Sequence, residues 1–95
     1  MGIARDFAER DVNKARNFLS DARDTIATLA DSPLLGSSQP QVSPRLHSMR
    51  RFRVHNHRAL WVYYRPFASG NGIEVFAVLH ERQDAATRLE AALEA

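Results

Sequence analysis

The chain has no cysteine, which excludes a disulfide, a zinc knuckle and a thiol nucleophile. That suits a reducing compartment, and the expectation is a cytoplasmic protein. Glycine and proline number four each, too few for a collagen-like or low-complexity chain. No apolar run approaches the roughly 20 residues of a membrane-spanning helix, and the N-terminus lacks the apolar core of a signal peptide, so no membrane partner is expected. Lysine is nearly missing, Lys14 standing alone beside twelve arginines. The most informative absence is of acid: between Ser32 and Ile73 there is no Asp or Glu at all.

What remains is a 95-residue chain, 44% hydrophobic and 25% charged, enough for one domain with a single modest core. The acid-free middle holds Arg45, Arg50, Arg51, Arg53, Arg58 and Arg65 with three of the four histidines, and so carries +6 against −4 on the flanks. Arginine recognises planar anions bidentately, which points to a partner bearing carboxylates or phosphates. The alternative is a solvated strand face.

Residues 1–32 read as helix. Val12, Ala15, Phe18, Leu19, Ala22, Ile26 and Leu29 recur at three- and four-residue steps, one stripe of a helix over Asp11–Asp31, with Arg16, Asp21, Arg23 and Asp24 mostly opposite. Asp11 or Asn13 is a suitable N-cap, and Ser32-Pro33 ends the helix. Ile3 and Phe7 mark a short helix before it, which predicts a helical hairpin. Residues 33–47, with three prolines, form a connector that Leu34, Leu35 and Leu46 pin to the core.

From Arg50 the period becomes two. Arg51, Arg53 and His55 alternate with Phe52 and Val54, and Ala59–Tyr64 is rich in aromatic and branched residues. His55-Asn56-His57-Arg58 and Ser69-Gly70-Asn71-Gly72 are turns. The region 50–80 therefore predicts an antiparallel meander. Its last strand places Ile73, Val75, Ala77 and Leu79 one way and Phe76 and Val78 the other, so it should lie inside the sheet, covered on both faces. The helical hairpin covers one face, and something else must cover the other. Residues 84–95 predict a C-terminal helix with Asp84 as N-cap and Ala86, Leu89 and Leu93 as its stripe, free either to fold back or to protrude. The fold class is α+β.

Little here signals chemistry. There is no catalytic carboxylate pair, no HExxH and no phosphate-binding glycine loop. His47, His55 and His57 are too irregularly spaced for a metal site, and no base marks Ser20, Ser43 or Ser48 as a nucleophile. No metal or other cofactor is expected. One constellation stands out: Arg51, Arg53, Tyr63, Arg65 and His80, in which Arg65 and His80 sit at strand ends where a phosphate could be gripped and a proton moved. In the competing reading His80 is bonded to backbone and Arg65 is paired with Glu81 or Asp84. Trp61, Tyr63 and Tyr64 suit base stacking or, preferably, a protein interface.

The order of elements is similar to the ParE/RelE toxin superfamily of bacterial type II toxin–antitoxin pairs. The likeness is carried by Ala15–Leu19 and Ile26–Gly36, by Leu46–Val54 with Val62-Tyr63-Tyr64-Arg65, and by Gly72–Val75 through Val78-Leu79-His80 with Asp84 four residues on. It implies a toxin, active in growth inhibition and plasmid stabilization, neutralised by an antitoxin that covers apolar surface and basic charge. Arg50, Arg51, Arg53, Trp61, Tyr63, Arg65, Phe76 and Val78 are the implied antitoxin- or target-binding residues. RelE-like members are ribosome-dependent mRNA endonucleases that rely on lysines, arginines and a tail Tyr or His. Here no lysine falls in the sheet region and no Tyr follows His80, so the chain resembles the ParE branch, which poisons DNA gyrase without hydrolytic activity. In the RelE alternative, Arg51, Arg53, Arg65 and His80 would be catalytic. Most members begin with a further strand and the first half of this helix, so the resemblance implies either a true start upstream or an N-terminally shortened domain, in which a sheet edge is left unpaired; a third reading is then an inactive, antitoxin-binding remnant.

Overall fold

Between Gly2 and Asp31 there is neither proline nor an internal glycine, and the segment forms one continuous α-helix, α1 (Gly2–Asp31). The expected hairpin is corrected on this point: Ala8-Glu9-Arg10 is made of good helix formers and contains no breaker, so the two predicted helices fuse and neither Asp11 nor Asn13 is a cap. The computed structural model describes the backbone of residues 2–39 and 48–94 and the side chains of 15–39 and 48–91. Leu46, and the side chains of Ile3, Phe7, Val12 and Leu93, lie outside those described.

A four-stranded antiparallel sheet follows, β1 (Ser37–Ser38), β2 (Arg50–Val54), β3 (His57–Pro66) and β4 (Ile73–His80), in the spatial order β1-β2-β3-β4. The chain closes with α2 (Ala85–Glu94). The α+β class, the meander and the C-terminal helix match the sequence reading. Asn56 takes φ 65° in the β2–β3 turn, and Gly70 and Gly72 take φ 83° and 87° in the β3–β4 turn, conformations that Asn and Gly tolerate best. The start of the connector is ordered as β1, where Ser37 and Ser38 pair with Arg51 and Arg50 and the Gln39 N–H donates to the Met49 carbonyl at 2.8 Å.

Two cores lie on opposite faces of the sheet. Ala22 and Leu29 of α1 pack on Val54, Val62 and Tyr64, joined by half-buried Phe18, Ile26, Phe52, Leu60, Ile73 and Val78. Leu89 of α2 packs on Met49, Tyr63 and Leu79, with Trp61, Phe76, Ala77 and Ala85 around them. The C-terminal helix thus covers part of the second face. Each buried Leu or Val contributes roughly 1.5–3 kcal/mol, so Leu89 is the main apolar anchor of α2 on the sheet.

Three further expectations change. Leu34 and Leu35 are exposed, 71% and 51%, because the pinning of the connector is done by polar bonds described below. The last strand, β4, is an edge strand rather than an inner one; its two apolar faces are matched by the two helices, so burial on both faces does not require a strand on both sides. A bulge also breaks its alternation: Tyr63 opposes Ala77 but Tyr64 opposes Val75, leaving Phe76 as the extra residue. Ile73 and Val78 consequently face α1, while Phe76, Ala77 and Leu79 face α2.

On α1, Ala15 and Leu19 are exposed and the position between Ala22 and Leu29 is filled by fully buried Thr25. Its hydroxyl donates to the Asp21 carbonyl at 2.7 Å and accepts the His55 N–H at 2.9 Å. One turn earlier, Asp21 Oδ2 lies 2.9 Å from His57 Nε2, whose ring meets Phe18 edge-on. These contacts fasten the β2–β3 turn to the helix. They also bring Asp21, expected on the polar side, toward the sheet.

Candidate functional site

Strand alternation sorts the basic and aromatic residues by face. Arg51 and Arg53 of β2 stand opposite Tyr63 and Trp61 of β3, all on the side covered in part by α2. The Arg51 and Arg53 guanidinium carbons lie 4.0 and 4.8 Å from the centre of the Trp61 ring. Arg65 is on the same face, its guanidinium carbon 5.4 Å from the centre of the Phe76 ring. Six expected residues, Arg51, Arg53, Trp61, Tyr63, Arg65 and Phe76, therefore share one basic, aromatic face. Tyr63 is buried there with Leu89 and serves the core.

Arg50 and Val78 fall on the α1 side. Arg50 stands opposite Tyr64, and its Nη1 donates to the carbonyls of Gly36 at 2.6 Å and Leu34 at 3.4 Å. The buried Tyr64 hydroxyl completes this clasp, donating to the Pro33 carbonyl and accepting the Gly36 N–H, each at 2.8 Å. Burial raises the Tyr64 pKa above its ordinary value, partly offset by the Gly36 N–H and the Arg50 charge.

His80 does not join the arginines. It opposes Leu60 on β3, whereas Arg65 opposes Glu74, so the two sit five β3 positions apart, about 17 Å along the strand. His80 also alternates onto the α1 side with Val78. Its Nδ1 accepts the Arg82 N–H at 3.1 Å, and its own N–H donates to Gln83 Oε1 at 2.7 Å. Arg65 is paired with Glu74 at 2.7 Å, rather than with Glu81 or Asp84, because the bulged register brings Glu74 opposite it. Asp84 caps α2, accepting the Thr87 hydroxyl and N–H, which together with the Ala86 N–H hold its carboxyl below the usual range. His80 and Asp84 thus shape the turn between β4 and α2.

Residues 2–85 match the family described as the ParE toxin of the type II toxin-antitoxin system, parDE. The chain belongs to that family. No curated protein and no solved structure matches it significantly. Membership in the ParE toxin family makes the chain a type II toxin by family, with an antitoxin as the implied partner. Among the described residues no group of three His, Asp or Glu is placed to hold a metal ion, and no helix is long and apolar enough to cross a membrane.

The sequence missed Thr25 and the Tyr64 clasp. Thr25 had a signal, since it stands at helical spacing between Ala22 and Leu29 in the apolar stripe. Tyr64 had none, because its partners lie about thirty residues away in an irregular segment. Arg45 and His47 lie outside the described residues.

Proposed function

We propose that the chain, as a toxin of this family, acts by binding and poisoning DNA gyrase, and that an acidic segment of its antitoxin silences it by covering the Arg51–Arg53–Trp61 face. The separation of Arg65 and His80 carries the choice of binding over hydrolysis. Cleaving a phosphodiester by acid–base chemistry needs a proton-transfer group and a charge-stabilising group at one phosphate, within hydrogen-bond reach of it. Here the two candidates are about 17 Å apart along β3 and on opposite faces. Each is also engaged locally, Arg65 by Glu74 and His80 by the Arg82 N–H. An interface asks only for shape, apolar anchors and charge, and the basic face offers Trp61 and Phe76 beside three arginines.

The test is a gyrase supercoiling and cleavage assay with antitoxin-free protein. Loss of supercoiling with accumulated linear DNA, unchanged in His80→Ala, is the expected result. Normal supercoiling at saturating protein would remove gyrase as the target and leave two alternatives: ribosome-bound mRNA as the target, or a chain that only binds antitoxin.

A further inference from the structure

The three arginines of the basic face are not equivalent. Arg65 has its carboxylate, Glu74, in place at 2.7 Å. Arg51 and Arg53 lie in no ion pair among the described residues, although both guanidinium groups are stacked on the same indole. Two like charges gathered on one ring repel each other, and Trp61 offsets only part of that through its π face. Arg51 Nε, moreover, is buried and has no hydrogen-bond acceptor among the described residues. A charged donor left in that state is costly, and an arriving anion that allows Arg51 to turn its Nε edge outward relieves the cost.

This is a point site. A nucleic-acid backbone is followed by a row of free cations along a groove, whereas here the third arginine of the face is already neutralised by Glu74. The neighbouring basic residue on β2, Arg50, is turned to the other side and spent on the Gly36 and Leu34 carbonyls. Among the described residues, what is left fits one small planar anion. A guanidinium edge presents two parallel N–H groups that match the two oxygens of a carboxylate.

We propose that Arg51 and Arg53, held over Trp61, form a clamp for a single Asp or Glu side chain of the protein that docks on this face, recognised through the planar guanidinium fork and not through positive charge alone. The clamp rests on the reading that this face receives an acidic partner segment, and names the contact that anchors it.

Trp61 is the chain's only tryptophan, so its emission reports the clamp directly. The intact protein is titrated with an octaglutamate peptide, with octaglutamine and inorganic phosphate as controls, and far-UV circular dichroism confirms that each variant is folded. Octaglutamate is expected to change Trp61 emission saturably, and the charge-preserving R51K/R53K pair to weaken binding about tenfold or more. R51E/R53E should abolish it. If R51K/R53K binds like the parent while R51E/R53E does not, the fork is refuted and the basic-face reading stands. If R51E/R53E binds like the parent, the face itself is wrong. Phosphate binding as well as the peptide, with the same dependence on both arginines, would overturn the commitment to a carboxylate. A fourth readout needs no variant: the Arg51 Nε–H proton resonance of the parent protein should move downfield with octaglutamate, and an unmoved resonance at saturation refutes the clamp.

Discussion

Replacing Tyr64 by phenylalanine removes one oxygen from the best-buried aromatic among the described residues and leaves its ring, and therefore its apolar packing, in place. Tyr64 is 0% exposed, and that oxygen holds the helix exit to the sheet by donating to Pro33 and accepting from Gly36. Two hydrogen bonds at about 1 kcal/mol each are lost, and the buried Gly36 N–H is orphaned, which brings the total to about 2–3 kcal/mol. For a domain of this size that is a lowering of Tm by about 10–15 °C. Urea unfolding followed by Trp61 emission measures it, with an unchanged m-value showing that the folded and unfolded states are otherwise alike. A loss below about 0.5 kcal/mol would refute the clasp, since even one net hydrogen bond contributes that much. Gly36→Ala tests the same junction from the other side. Its new Cβ would meet the Tyr64 hydroxyl, Tyr64 Cε1 at 2.7 Å and the Arg51 carbonyl at 2.8 Å. The ring and the backbone cannot both retreat, so Gly36→Ala is expected to be more damaging than Tyr64→Phe, and combining the two should not restore stability.

Other consequences follow from single contacts. Thr25→Val keeps the shape of a fully buried side chain but orphans the His55 N–H, and should cost about 1–2 kcal/mol in the same urea assay. Leu29→Ala, at a fully buried position of the α1 core, should cost about 2–5 kcal/mol, whereas Leu35→Ser, at a 51% exposed position, should stay within about 0.5 kcal/mol. The raised Tyr64 pKa has a definite sign in linkage. The folded state resists ionisation more than the unfolded state, so stability is full below the unfolded value of 10.0 and falls as pH rises above it toward the folded value. Alkaline unfolding midpoints should therefore drop in the parent protein above pH 10, and Tyr64→Phe should lose that part of the dependence.

The features legible in the sequence were those set by local chemistry. The alternation of Arg51 and Arg53 with Phe52 and Val54 placed the basic residues on one face of β2, Asn56 and the glycines of the second turn marked the chain reversals, and Asp84 marked the start of α2. The misreadings all concern competition between local and distant terms. Asp11 and Asn13 are good caps, but a helix with no breaker before them continues through. The bulge at Phe76 is invisible to period counting, because one extra residue reverses the face of everything on one side of it. For the same reason Ile73 and Val78 came to share a side, and Glu74 came opposite Arg65. The candidate site was half legible: residue type and parity assembled the arginines around Trp61, but only the register of β3 against β4 shows that His80 stands at the far end from Arg65.

Incubating the antitoxin-free protein with translating ribosomes and mapping the ends of the bound mRNA tests most directly whether the chain works by binding alone. Under the gyrase proposal, intact message is expected at every protein concentration used in the supercoiling assay. Message cut on the ribosome, with cutting abolished in both Arg65→Ala and His80→Ala, would mean that the two residues act together on one phosphate, and would contradict the account.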